Sequence, residues 1–335
     1  MGDNLQIIDN KQFKILSIDG GGIKGLYSAT ILEHLEQRFG PLSGYFDMIC
    51  GTSTGGLIAL CLALKIPAKD ISKIYEDKGH KIFPHRTFLG GIIRQTFWKG
   101  KYSDKPLKEV LQEIFSEKTI ADLDNLVCIP SYSLTDARPW VFKRDHGKLD
   151  RDNRALLTDV ALATTAAPTY FPLCEIPFYN HKQFIDGGVW ANNPALVGVI
   201  EALTYFVGKD RSFSSVEILS VSSLNSTGGK PVGLTRQRSF VNWRNDLFDT
   251  SLIGQSHFTD YFMDKLSKMN DIQIRYERIP SEQISAEQQH LVKLDCSSEK
   301  AIQFIKGKGN DRGLLAKKDP KIEAFFSQPK QYKIL

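Results

Sequence analysis

Ser53 lies in Gly51-Thr52-Ser53-Thr54-Gly55, a pattern suited to nucleophilic attack on acyl carbonyls. An apolar, strand-like run from Tyr45 to Cys50 precedes it, and a run of small and apolar residues from Gly56 to Leu64 reads as a helix. That strand–turn–helix setting is what a nucleophile elbow needs. Glycines at 51 and 55 are expected to let the backbone bend sharply, so that the hydroxyl stands clear of the sheet. Alone, Gly-x-Ser-x-Gly is a weak signal, and a serine in such a turn can merely cap the helix. The flanking elements favour the nucleophile.

Asp19-Gly20-Gly21-Gly22-Ile23-Lys24-Gly25 is the second chemical feature. Three glycines between a strand and a helix present backbone N–H groups at the positive end of the helix, which makes an anion site. In a hydrolase this is an oxyanion hole, each hydrogen bond being worth about 3 kcal/mol in the transition state. Gly20-x-Gly22-x-x-Gly25 also fits a dinucleotide fingerprint. Against that, the next strand ends in the Ser53 elbow rather than in an acidic residue for a ribose, and Asp47 lies inside the strand. A Walker phosphate loop fails, because Lys24 precedes Gly25 and no Gly-Lys-Ser/Thr follows.

A serine hydroxyl needs a base, and the seven histidines offer none in a convincing place. His34 falls on an expected helix, and His80, His85, His146 and His181 fall in polar or loop segments. His257 and His290 follow Asp186, as the acid–base order of α/β-hydrolases requires, but neither sits beside a glycine turn or a clear strand end. Asp186 does: Gln183-Phe184-Ile185-Asp186 reads as a strand running into Gly187-Gly188. Asp-Gly is also an ordinary turn pair.

These residues need elements to hold them. Phe13 to Asp19 reads as a buried strand and Leu26 to Phe39 as a helix stopped by Gly40-Pro41. Lys69 to Gly79 reads as a helix, Leu126 to Leu134 as a strand, Leu156 to Thr165 as a helix. Pro194 opens a helix to about Phe206, and Val216 to Val221 is a further buried strand. Alternating strands and helices predict an α/β fold with a central, mostly parallel sheet flanked by helices. Ligands then bind at the carboxyl ends of strands, where Asp19, Ser53 and Asp186 are expected to fall.

The chain has 335 residues, 41% hydrophobic and 24% charged, with a net charge of +5, the composition of a soluble globular protein. The mild basic excess suits an anionic surface but is too weak to argue for nucleic acid. Cys50, Cys61, Cys128, Cys174 and Cys296 are scattered, odd in number and mostly in apolar runs, as expected of buried thiols in a reducing compartment. They and the histidines offer no ligand spacing for a metal. Met1 to Gln6 is acidic and polar, so no signal peptide is expected, and position 6 lacks the Ser or Thr of a myristoylation signal. The longest apolar stretch, Leu57 to Leu64, is far short of the about 20 residues that span a bilayer. The expectation is a cytoplasmic protein able to visit the inner membrane as a peripheral one.

Together, Asp19-Gly20-Gly21-Gly22-x-x-Gly25, Gly51-Thr52-Ser53-Thr54-Gly55 and Asp186-Gly187-Gly188 resemble, in order and spacing, the patatin-like phospholipase family. Ala163 to Pro172 resembles that family's segment before the aspartate strand, and Asn192-Asn193-Pro194-Ala195 resembles the family's segment after it. The resemblance covers residues 10–225, with 226–335 expected to add helices and loops to the same domain. It implies a three-layer α/β/α fold and a Ser–Asp dyad without histidine, Ser53 as nucleophile and Asp186 as base. Gly20, Gly21 and Gly22 would form the oxyanion hole. The implied reaction is release of fatty acids from phospholipids or related acyl lipids through an acyl-enzyme, with no metal or cofactor. A lipid- or nucleotide-binding regulatory protein of the same fold, and a cyclic-nucleotide-activated phospholipase of bacterial anti-phage defence, are the alternatives. One departure is Ser222-Ser223-Leu224-Asn225 where many members carry Gly-Thr-Gly.

Two segments are candidates for contact with lipid or an activator. In residues 82–102, Phe88, Leu89, Ile92, Ile93, Phe97 and Trp98 interleave with Arg86, Arg94, Lys99 and Lys101, which suits a bilayer interface. Gly90-Gly91 would allow movement. An insertion packed on the core is the preferred alternative. Arg236, Arg238, Trp243 and Arg244 would suit a phosphate head group or a regulatory nucleotide. There a solvated loop is preferred.

Overall fold

The structure, a computed structural model, describes residues 11–84, 101–225, 240–269 and 273–333, with positions 233, 236, 237 and 239. Strand β1 (Gln12–Ile18) is buried along nearly its whole length, as a strand covered on both faces must be. Its alternating side chains enter two different cores. Leu16 and Ile18 join one cluster and Phe13 and Ile15 the other, the two-residue period of a pleated strand.

β1 pairs in parallel with β2 (Met48–Gly51) on one side and β7 (Ser215–Val221) on the other. The remaining strands are β3 (Leu126–Ser133), β4 (Arg138–Lys143), β5 (Cys174–Ile176), β6 (Lys182–Asp186) and β8 (Ile274–Ile279). The sheet order is β5-β6-β3-β2-β1-β7-β8, with β4 paired to β3. The β1–β2, β2–β3, β1–β7 and β7–β8 pairs are parallel, whereas β4, β5 and β6 run antiparallel to their partners. The sheet is therefore mixed and mostly parallel.

Helices α1 (Gly25–Phe39), α2 (Thr54–Ala63), α3 (Ala68–Ile82), α4 (Lys105–Phe115) and α5 (Leu157–Thr165) bury their apolar faces in the larger core. Helix α2 is apolar all round and buried from Gly55 to Ala63, which marks an interior rather than a surface helix. Past the short α6 (Gly188–Ala191), α7 (Ala195–Tyr205) covers the other face of the sheet, with Met263 of α8 (Phe240–Leu266). Helix α9 (Glu299–Ala316) lies against α1, where Gly309 faces Thr30 and Gly313 faces His34 too closely for a side chain.

Gly187-Gly188 leads into α6 rather than a plain turn. Beyond residue 226 the chain adds strand β8 to the sheet besides helices and loops. Among the described residues no helix is long and apolar enough to cross a membrane.

Candidate active site

The loop after β1, the turn after β2 and the end of β6 converge at the carboxyl ends of the parallel strands. β6 gets there from the opposite direction to the one expected for a parallel strand. It runs against β3, with Asp186 opposite Ser131, so its last residue arrives beside the elbow that follows β2.

The elbow is strained at the serine itself. Ser53 has φ 54° and ψ −126°, a conformation that costs a non-glycine residue about 1–3 kcal/mol. The bend is not made by the flanking glycines, neither of which has a positive φ. They are needed for space: a Cβ on Gly51 would overlap the Gly55 carbonyl oxygen, and one on Gly55 the Ile18 carbonyl oxygen. Thr164, which the sequence did not single out, holds the strained turn. Its Oγ1 accepts from Ser53 N–H at 2.9 Å and donates to the Pro130 carbonyl at 2.6 Å. Thr52 Oγ1 donates to the Ala191 carbonyl at 2.6 Å.

Ser53 Oγ donates to Asp186 Oδ2 at 2.6 Å. The other carboxylate oxygen accepts from Gly188 N–H at 2.7 Å. Gly188 brings its N–H that close because it carries no side chain, and a Cβ there would press on Leu252. Asp186 is buried and has no cationic partner among the described residues. Burial raises its pKa to about 7, and the hydrogen bonds from Ser53 and Gly188 oppose that rise without cancelling it. A carboxylate with a proton affinity near neutrality is suited to general base work.

The glycine loop divides into two functions. Gly20 N–H donates to the Asn192 carbonyl at 2.9 Å, so this donor is already committed to structure. Gly21 and Gly22 line the same cleft as Ser53, and their N–H groups have no acceptor among the described residues. Gly22 has φ +60°, and a Cβ there would overlap the Leu294 carbonyl oxygen, so no other residue fits. Asp19, just before, is fully buried and is gripped by Arg278 of β8 through Nη1–Oδ1 at 3.2 Å and Nη2–Oδ2 at 2.6 Å. Burial works against the Arg278 charge, but the Asp19 carboxylate outweighs it and raises the guanidinium pKa. No signal in the sequence marked Arg278, 259 positions away.

The cleft holds about 710 Å³ counting its open mouth, and its walls are Leu57, Tyr75, Ile82, Phe83, Tyr170, Phe171, Phe248 and Leu252. Ser53, Asp186 and Asn192 form its polar floor. Among the described residues no histidine lines it, and no cluster of His, Cys, Asp and Glu could hold a metal. Of the segment 82–102, Ile82 and Phe83 line the cleft and Tyr102 is buried beside Phe83 and Phe171; 85–100 lie outside the described residues. Arg236 and Trp243 are exposed. Arg238 and the side chain of Arg244 lie outside the described set.

The family profile described as "Patatin-like phospholipase" matches residues 16–199. A cGAMP-activated phospholipase of Pseudomonas aeruginosa is 34% identical, over 93% of this chain and 91% of its own length. Another of that name from Escherichia coli is 28% identical, over 97% and 96%. Among solved structures, VipD from Legionella pneumophila is similar with a TM-score of 0.46 and 11% identity, covering 94% of this chain and 67% of that one.

Proposed function

The chain belongs to the patatin-like phospholipase family of lipid acyl hydrolases, and on that premise we propose that Ser53 and Asp186 are its catalytic dyad. The observation that carries the reading is the 2.6 Å hydrogen bond from Ser53 Oγ to a buried Asp186, with no histidine among the described residues of the cleft. Asp186 takes the hydroxyl proton as Oγ attacks the ester carbonyl carbon. The oxyanion that forms is met by the N–H groups of Gly21 and Gly22, with that of Thr54 at the positive end of α2. The tetrahedral species collapses, and the departing alcohol oxygen takes the proton from Asp186. Water then attacks the acyl-enzyme carbonyl, giving one proton to Asp186 and its hydroxyl to the acyl group; as the Ser53 Oγ–acyl bond breaks, Oγ takes that proton back and the fatty acid leaves. The apolar walls hold the acyl chain, which suits lipid esters as the substrate class without choosing the head group.

Regulation by a small molecule is the finer part of the proposal. Two relatives matched over nine-tenths of their length or more are named as activated by cGAMP, and we extend a cyclic-dinucleotide activator to this chain. Contact with a lipid surface is proposed on the same basis as the acyl-lipid substrate.

Labelling with an alkyl fluorophosphonate, with and without cGAMP and phospholipid vesicles, tests both parts. One adduct on Ser53, absent in Ser53→Ala and weak in Asp186→Ala, is expected, with fatty acid release rising on addition of cGAMP. Release that persists in Ser53→Ala would remove the dyad, and release indifferent to cGAMP would remove the activator alone.

A further inference from the structure

Gly21 and Gly22 can only serve an oxyanion if something holds their N–H groups in place, and the glycine loop itself has few internal bonds. The support comes from the far end of the chain. Leu294 packs its backbone against Gly22, and its carbonyl accepts from Ile23 N–H at 2.9 Å. The next residue, Asp295, is anchored by its side chain. Its Oδ2 accepts from Tyr102 OH at 2.7 Å and from Lys101 Nζ. That carboxylate is largely buried, with 10% of its side chain exposed. Two residues on, Ser297 Oγ donates to the Phe83 carbonyl.

Lys101 and Tyr102 are themselves fixed. Their N–H groups donate to the carbonyls of Thr169 and Tyr170 at 2.9 and 2.7 Å, in the segment that forms the cleft wall. A strap over residues 293–297 thus spans from the cleft wall to the glycine loop, and Asp295 is its charged anchor.

We propose that Asp295 is a positioning residue for the oxyanion donors, acting through Leu294 on the backbone of Gly22 and Ile23. The inference rests on the proposed Ser53–Asp186 reading. Asp295 touches no part of the cleft where substrate reacts; its effect passes through main chain. Loss of the anchor lets the Leu294 carbonyl drift, and one misplaced oxyanion donor lowers kcat by about 10²–10³-fold when lost completely.

The test compares wild type, Asp295→Ala, Asp295→Asn and Lys101→Met on a soluble short-chain ester. For Asp295→Ala a fall in kcat of roughly 10- to 100-fold is expected, with KM within about threefold. Asp295→Asn, which still accepts hydrogen bonds and keeps the shape, should recover most of the loss. Lys101→Met, which leaves the Tyr102 bond in place, should fall between wild type and Asp295→Ala. Binding of a trifluoromethyl ketone, whose adduct with serine carries an oxyanion, should weaken in parallel with kcat, whereas binding of a free fatty acid should not change. A purely structural role would weaken both ligands together and so overturn the proposal, as would unchanged kcat. If Ser53→Ala keeps full activity, the dyad reading fails first. If Ser53→Ala is inactive while the Asp295 variants match wild type, only the positioning role falls.

Discussion

Two buried aspartates sit at the carboxyl ends of the parallel strands, and the molecule treats them differently. Asp19 follows the central strand and is gripped by both terminal nitrogens of Arg278. Asp186 ends the antiparallel strand β6 and meets only neutral donors, the hydroxyl of Ser53 and the N–H of Gly188. At Asp19 burial raises the pKa and the guanidinium opposes that rise without cancelling it, while both carboxylate oxygens are taken up by the ion pair. Asp19 is therefore suited to hold the start of the glycine loop, and Asp186 is left able to take and return a proton. The two carboxylates resemble each other in burial and differ in compensation, and compensation separates structure from chemistry.

The largest expected effect separates their roles in catalysis. Asp186→Ala should lower kcat for ester hydrolysis on the order of 10⁶-fold, as removal of the catalytic base from a serine enzyme does. Asp19→Asn keeps the shape and the Ser53–Asp186 bond, and should lose far less. Steady-state rates on a soluble ester check this. Equal losses would erase the distinction.

Arg278→Met should break the other half of the comparison. It leaves Asp19 buried and uncompensated, and loss of one partner of a buried pair costs about 3–5 kcal/mol. Urea unfolding at pH 8 should show the loss. Unchanged stability would mean that Asp19 is not held as an anion by Arg278.

Much of this site is legible in the sequence, because it depends on local pattern. Gly51-Thr52-Ser53-Thr54-Gly55 follows an apolar run and precedes another; α2 covers the second, while β2 takes only the latter half of the first, from Met48, and Tyr45 to Asp47 lie outside it. The helices expected over Leu26 to Phe39 and Leu156 to Thr165 are α1 and α5 within a residue. The physical reason for the two elbow glycines was not legible, since it is a contact between backbones and not a torsion. The direction of β6 was also hidden, because a strand's alternation is the same in either sense. Arg278, Thr164 and Asp295 act through distant partners or through main chain, for which a single sequence carries no mark. Cysteine burial, by contrast, followed from the apolar runs: Cys50, Cys61, Cys128 and Cys174 are buried and all five are free.

Asp186→Asn sharpens the comparison through stability. In the unfolded chain an aspartate loses its proton near pH ~3.9; in the folded chain Asp186 keeps it to about pH 7. Between these values the folded state binds the extra proton, so the wild type loses stability as pH rises from about 4 to about 7 and no more above that. The variant has no such group. Its advantage over wild type should be absent at about pH 4 and grow to at most about 4 kcal/mol at about pH 8, at roughly 1.36 kcal/mol per pH unit. Unfolding curves at the two pH values measure it, and an advantage that is the same at both would show that folding does not raise the pKa of Asp186.

The smallest effect is also the most specific. Asp186 must be ionised to accept the Ser53 proton, so kcat/KM should fall about tenfold per pH unit below about 7 and level off above. Fluorophosphonate labelling of Ser53 should follow the same limb, because it needs the same base and no lipid. Burial is the cause of the high midpoint, so a change that wets the cleft floor should move the limb toward lower pH. Leu252 packs over Gly188 and lines the cleft, and Leu252→Ser is the variant that admits water there. Asp19→Asn, on the other carboxylate, should leave the midpoint where it is. A limb that moved with Asp19 and not with Leu252 would reverse the assignment of base and anchor.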